Sequence, residues 1–226
     1  MKYNNYDIIK MYYSGYTVTA AYGCGGYKVF EAEKKAKMKI TKVSDPSKTY
    51  QIDCNNSSII TQSEINECYH NVSGCCVHID VGDCVTHIGS GTSNSAEFRT
   101  NCLVSITLPN TLKYIGPSSF AGCTSLEHID IPSGVTSILS MTFDNSALKS
   151  IDLHRRINSI GYGAFWNCIL LESVTVRATT PPTLGTSAFE NTSPNLVIYV
   201  PAASLNAYKT ANKWSDYASR IQAIPT

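Results

Sequence analysis

The 226-residue sequence is poor in charge: Asp, Glu, Lys and Arg make up 15% of it, against about 25% in an average soluble domain. The net charge is +1, so no bulk field draws the chain to nucleic acid or to an acidic membrane. No apolar run approaches the roughly 18 residues of a membrane helix, and no membrane insertion is expected. The start, MKYNNYDIIKMYYSGYTVTA, lacks an apolar h-region, and on that ground no secretory signal is expected. G-x-S-x-G, P-loop and H-E-x-x-H patterns are missing, so the common catalytic templates fail. C-x-x-C is missing as well. Cys75-Cys76-Val77-His78 has metal-type letters, but no second ligand pair follows at zinc spacing. Gly23-Cys24-Gly25-Gly26 reads as a loose turn rather than a phosphate cradle. Neither an enzyme nor a metal or other cofactor is expected. The chain is 43% apolar and long enough to bury a core, which sets it apart from disordered sequences.

What the sequence has is repetition. Five of its six Phe form a ladder, Phe98, Phe120, Phe143, Phe165 and Phe189, with gaps of 22, 23, 22 and 24. A second ladder is Ile79, Ile106, Ile129, Ile151, Val174 and Ile198. A third lies two residues on, at Val81, Leu108, Ile131, Leu153, Val176 and Val200. A fourth is Ile88, Ile115, Ile138 and Ile160, continued by Leu184. Leu103, Leu126, Leu148 and Leu171 open the repeats.

Leu-x-x-Ile-x-Leu puts apolar residues two apart, on one face of a strand. One strand cannot bury that face alone. Stacked repeats can, by building a parallel sheet over a continuous core. Pro109 and Pro132 follow their strands directly; Pro cannot donate to a ladder, so the chain turns there. The second half of each unit, such as Val135 to Phe143, forms the return wall. Periodicity leaves open whether it holds short strands or helical turns.

LVSITLPNTLKYIGPSSFAGC and TSLEHIDIPSGVTSILSMTFDNS resemble the BspA-like leucine-rich repeats. ATTPPTLGTSAFENT and IYVPAASLNAYKTANKWSDYASRIQAI resemble the last repeat and C-terminal cap of that family. The resemblance covers roughly residues 77–226. It implies a mainly β leucine-rich-repeat solenoid with a parallel sheet and a C-terminal cap; that cap reads as a short helix, and the residues ahead of the repeats read as an N-terminal β-hairpin cap. The first repeat departs from the pattern through extra residues around Gly89–Glu97, and the third has Ser146 where others have Cys.

Four segments are expected. Residues 1–33 form a Tyr-rich attachment element, 34–70 a hairpin N-cap, 71–200 about five repeats and 201–226 the C-terminal cap. In the hairpin, Lys35, Lys37 and Lys39 alternate with apolar residues, as a solvated edge strand would. Asp45-Pro46-Ser47 marks its turn and Thr49–Ile52 its return strand. In the C-terminal cap, Ala202–Ala211 reads as a helix with Leu205 and Tyr208 inward, and Trp214, Tyr217, Ile221 and Ile224 can cover the last coil.

Seven of the fourteen Tyr crowd the first 27 positions: Tyr3, Tyr6, Tyr12, Tyr13, Tyr16, Tyr22 and Tyr27. The stretch from Ile8 to Phe30 reads as two short strands with Gly-containing turns. Lys10, Tyr12, Gly15, Val18, Ala21, Tyr22, Gly25 and Val29 resemble a small element at the start of many phage tail, fibre and prophage-encoded proteins. A piece this small has no core of its own. Its Tyr rings either bury against a partner or another copy, as amphipathic Tyr does at interfaces, or pack on the hairpin.

The nine Cys read mostly as buried corner fillers after Phe. Reduced thiols are the default without an export signal, although Cys102 and Cys123 on adjacent coils could bridge.

Inward ladders identify the outward residues of the sheet. One row is His78, Ser105, His128, Ser150 and Ser173; the next is Asp80, Thr107, Asp130, Asp152, Thr175 and Tyr199. His154, Arg177 and the Gly89–Glu97 loop extend this face. Asp130 and Asp152 are expected to be neighbours of like charge, needing a cation or donor to relieve them. The face is either a ligand surface or a polar coat that keeps the sheet soluble.

The expected function is a non-enzymatic structural or interaction protein, a phage virion component whose repeats bind a host-surface glycan or protein. Residues 1–30 would join it to other virion or surface proteins, in several copies or as a homo-oligomer. The alternative is a bacterial cell-surface adhesion protein of the BspA-like kind; an enzyme is a remote third.

Overall fold

The computed structural model describes residues 2–3, 6–13, 16–22, 28–34, 36–42, 44–53, 57–71, 77–89, 98 and 103–226. Before Met38 it is the backbone pairing that is described. β-Branched and aromatic residues dominate the described residues at the start, and these are all strand. β1 (Lys2–Tyr3), β2 (Tyr6–Tyr13), β3 (Tyr16–Tyr22) and β4 (Lys28–Lys34) form one antiparallel sheet in that order. The sequence suggested two strands here; the structure adds Lys28–Lys34 as a full partner of β3, from Tyr22↔Lys28 to Tyr16↔Lys34. A lone hairpin is marginal in water, and a third strand supplies the missing ladder. Tyr27, Gly15 and Gly25 lie outside the described residues.

β5 (Ala36–Lys42) and β6 (Asp45–Asp53) make the next hairpin. Its turn falls earlier than Asp45-Pro46-Ser47: Lys42 already pairs with Asp45, and the register slips before Thr41↔Thr49. Pro46 thus sits at an irregularity of the strand, where its missing N–H is tolerated.

The repeat region contributes two sets of strands. The longer ones are β8 (Val77–Val81), β10 (Leu103–Thr107), β13 (Ser150–Leu153), β15 (Ser173–Val176) and β17 (Val197–Val200). The short ones, two residues each, are β7 (Ile59–Ile60), β9 (His87–Ile88), β11 (Tyr114–Ile115), β12 (Ser137–Ile138), β14 (Ser159–Ile160) and β16 (Thr183–Leu184). The return wall therefore holds short strands. Where repeat strands pair they pair in parallel, with equivalent positions in register, as in Ile151↔Val174↔Ile198 and Ile138↔Ile160↔Leu184; between β10 and β8 the register shifts between Leu103 and Ser105.

The long strands form two sheets, β10-β8-β5-β6 and β13-β15-β17-β18, the last being β18 (Ile221–Ala223). Leu126–Ile131 lies between them without strand pairing. Its alternation persists all the same: Leu126, Ile129 and Ile131 are buried, while Glu127, His128 and Asp130 are exposed. Lys149 N–H still bonds Glu127 O at 3.1 Å across this gap.

β5 is an interior strand, flanked by β6 and β8. The Lys row is therefore not an edge guard; β6 occupies the edge. Lys39 is exposed and lies directly across from Asp80, so this pairing sets opposite charges side by side.

The stack also starts one rung earlier than the Phe ladder shows. Ile60 pairs with Ile88, and Ile65 lies five residues on, the offset that carries Ile115 to Phe120. Ile60 and Ile65 are both fully buried. Here a helix, α1 (Gln62–Asn71), replaces the turn of later repeats. Thr61 N–H donates to Glu64 Oε2 at 2.9 Å, and Glu64 N–H donates to Thr61 Oγ1 at 3.4 Å. This reciprocal capping box starts the helix.

The core is the Phe ladder. Successive rings stack at 5.3–5.5 Å with planes 5–12° apart. Two left-handed residues flank each Phe from the second rung on, two positions before and two after. Gly122, Asn145, Asn167 and Asn191 fill the later position, and Gly and Asn tolerate that backbone best. The final ring, Phe189, meets Trp214 at 6.1 Å and Tyr217 edge-on at 5.5 Å. α2 (Leu205–Thr210) buries Tyr208 completely, and its hydroxyl donates to Ala178 O at 2.7 Å. Trp214 Nε1 donates to Pro182 O at 2.7 Å, so these buried polar atoms are satisfied.

Candidate functional site

In-register stacking lines up the outward side chains as well. Ser105 sits beside His78, and Thr107 beside Asp80. Ser150 sits beside Ser173, Asp152 beside Thr175, and Thr175 beside Tyr199. The rows named from the alternation are thus assembled on each sheet, and the unpaired Leu126–Ile131 segment carries His128 and Asp130 between them.

Many of these groups already have internal partners. His78 Nδ1 and Ser105 Oγ lie 2.5 Å apart, and His128 Nδ1 and Ser150 Oγ 3.4 Å apart. Asp152 is held by Arg177 of the next repeat: Nε donates to both carboxylate oxygens at 2.8 and 2.9 Å, and Nη2 donates at 2.6 Å. The cation that Asp152 was expected to need therefore comes from within the chain. The Asp152 carboxylate in turn pushes the guanidinium's pKa up, chiefly through this hydrogen bond. A second cross-repeat pair, Lys149 Nζ to Glu127 Oε2 at 2.6 Å, flanks the face and holds the Glu127 carboxyl below its ordinary range. Asp130 is exposed, and no ion pair reaches it among the described residues.

His154 does different work. Its Nε2–H donates to Pro132 O at 3.1 Å, and its Nδ1 accepts from Arg156 N–H at 3.2 Å. That pattern belongs to the neutral Nε2–H tautomer. The Gly89–Glu97 loop falls outside the described residues beyond Gly89.

Residues 91–213, more than half of the chain, match the family described as BspA type leucine rich repeat region, in six copies. The chain belongs to the BspA-type leucine-rich-repeat family. No curated protein matches it in sequence.

In this BspA-type chain the corner cysteines have a bonding role. Cys123 and Cys168 are buried thiols outside any disulfide. Their thiols donate to Phe98 O at 3.1 Å and Phe143 O at 2.9 Å, each one repeat back. A Cys102–Cys123 bridge is thereby ruled out. Ser146, the odd residue of the series, lies 3.4 Å from Cys168 Sγ. Burial pushes the Cys168 thiol up to about 11. Cys84 departs from the expected reduced state: it is disulfide-bonded. It follows β8 in a turn, half-buried against the core rather than in the Phe corner, and its partner falls outside the described side chains.

Of the metal-type letters at Cys75-Cys76-Val77-His78, His78 faces Ser105, and Cys75 and Cys76 lie outside the described residues. No cluster of three His, Cys, Asp or Glu side chains converges among the described residues. No described helix is long and apolar enough to cross a membrane.

Sequence reasoning missed one thing that the repeat itself displays. The repeat opened by Leu148 leaves Tyr162, Ile169 and Leu170 exposed. Thr124 and Ser125 hold the places of Ile169 and Leu170 two repeats earlier. Comparing repeats position by position would have found these apolar exceptions.

Proposed function

We propose that the chain is a non-enzymatic binding module, a solenoid whose outward sheet face meets a ligand and whose ends are capped by the β5–β6 hairpin and by residues 201–226. One observation carries the reading. In-register parallel stacking sets one short polar or charged side chain per repeat in line, from Asp152 through Thr175 to Tyr199. Such periodic surfaces are what repeat proteins use for extended recognition. Asp130, exposed and outside any ion pair among the described residues, is a charge this face offers to a partner. Replacing Asp130 with Ala should weaken capture of the ligand without moving the unfolding midpoint. Unchanged capture would remove the sheet face from the reading.

We place the module on the bacterial cell surface as an adhesion protein. The Cys84 disulfide favours this setting, because structural disulfides persist in oxidising spaces outside the cytosol. Mass mapping of protein isolated without reductant should find Cys84 cross-linked; a free Cys84 thiol would count against export. A second reading, a phage virion component, rests on the likeness of residues 8–30 to phage tail and fibre N-termini. Finding the protein in purified virions would favour it over the first. In either setting residues 1–33 are the attachment element, with its seven Tyr as contact residues. Deleting them should release the protein from its assembly while the repeats stay folded.

A further inference from the structure

The repeats provide their own control for which side chains the fold requires. Three successive corners close with the same backbone turn: Leu112 N–H to Pro109 O, Val135 N–H to Pro132 O and Ile157 N–H to His154 O, at 2.9–3.0 Å. Each turn ends on a buried apolar residue. The two central positions are Asn110-Thr111, Ser133-Gly134 and Arg155-Arg156. The turn therefore needs no arginine, yet one corner carries two. Both are exposed, and no ion pair reaches either among the described residues. His154 replaces the Pro of the other corners and ties this one to the preceding repeat through Pro132 O, while its other nitrogen accepts from Arg156 N–H. The corner is thus braced beneath its two cations.

Two hollows meet at this pair. One, about 300 Å³, runs from Arg155 and Arg156 past Asn158 to the Thr179–Thr183 corner. The other, about 250 Å³, lies towards Ser133. Among the described residues no Asp or Glu lines either hollow. Their walls offer hydroxyl and amide groups and the Pro181-Pro182 rings.

We propose that this corner binds an acidic saccharide, with Arg155 and Arg156 gripping a carboxylate or sulfate and the two hollows taking the sugar residues on either side. Guanidinium groups match such planar or multidentate oxyanions by forked hydrogen bonds. Ser, Thr and Asn side chains suit the flanking sugar hydroxyls. A nucleic acid would call for a longer run of cations than this near-neutral chain carries. The site shares only His154 with the sheet face, so the two can fail separately.

Titration calorimetry of the full chain would test it, with a heparin-derived sulfated tetrasaccharide, a trigalacturonate and neutral maltotriose as probes. At least one acidic probe should bind, maltotriose should not, and added salt should weaken binding. The relative affinity of the sulfated and carboxylated probes identifies the acidic group. The Arg155→Ala/Arg156→Ala variant should lose at least about tenfold in affinity with its unfolding midpoint unchanged. The Arg155→Lys/Arg156→Lys variant should recover part of the loss, and Asp130→Ala should leave binding intact. The proposal is overturned if neither acidic probe binds, if the double Ala variant binds as well as the parent, or if a single-stranded oligonucleotide of equal charge binds more tightly.

Discussion

Arg177 grips Asp152 across one repeat with three hydrogen bonds of 2.6–2.9 Å. Both side chains remain about half exposed, at 53% and 52%, so solvent screens the pair. A double-mutant cycle of Asp152→Ala and Arg177→Ala should give a coupling of about 0.2–1 kcal/mol that shrinks with added salt. Urea unfolding would measure it. A coupling above about 2 kcal/mol would mean that the pair anchors the sheet rather than decorating it.

Phe143 lies inside the ring stack, 5.5 Å from Phe120 on one side and 5.5 Å from Phe165 on the other. Phe143→Ala should cost about 3–5 kcal/mol in urea unfolding, from lost burial and the cavity left behind. Phe143→Leu should cost less, because most of the apolar volume stays. Equal losses in both variants would argue that ring stacking, rather than burial, holds this corner.

Gly185 is needed for close approach. A Cβ there would lie 2.3 Å from Gly161 C and Tyr162 N, in the backbone of the previous repeat. Gly185→Ala should therefore force the two repeats apart and break the 2.7 Å bond from Gly185 N–H to Ile160 O. The expected loss is about 3 kcal/mol or more. Gly163→Ala is the contrast: its Cβ would meet Trp166 Cβ at an ordinary 3.5 Å, leaving the positive φ of 54° as the obstacle. That costs about 1–2 kcal/mol. Thermal unfolding of both variants would check the order, and a reversed order would defeat the close-approach account.

Cys168 makes stability fall in alkali. Burial raises its thiol from an ordinary 9.0 to about 11. The unfolded chain ionises first, so the contribution is complete below pH 9 and is lost as pH rises towards 11. The slope from this one group is about 1.4 kcal/mol per pH unit at most. Cys168→Ala should flatten the stability profile over that window relative to the parent. An equally steep fall in the variant would assign the loss to other groups; the buried Tyr208 hydroxyl, also raised by desolvation, is one.

Legibility in the sequence follows the range of the interactions. The Phe, Ile and Leu ladders could be read because each rung repeats the same local pattern, and all five ladder Phe are fully buried. Ile60 and Ile65 escaped notice because their rung is built differently, with a helix in place of the turn and an antiparallel strand in place of a repeat strand. Thr61-Gln62-Ser63-Glu64 carries the capping-box signature that would have located that helix. The outward rows were legible from alternation alone. Their internal partners were not, because the reach of Arg177 back to Asp152 spans 25 residues of sequence.

Periodicity by itself determined the stack, its core and the two faces of its strands, since a side chain's direction within a strand is a local matter. The tertiary structure alone decided that β5 lies inside its sheet, that the long sheet breaks at Leu126–Ile131, and that Asp152 is neutralised from within while, among the described residues, no ion pair reaches Arg155 or Arg156. Each of these depends on which distant segment supplies the next hydrogen bond or counter-charge, and a repeating local pattern carries no record of that choice.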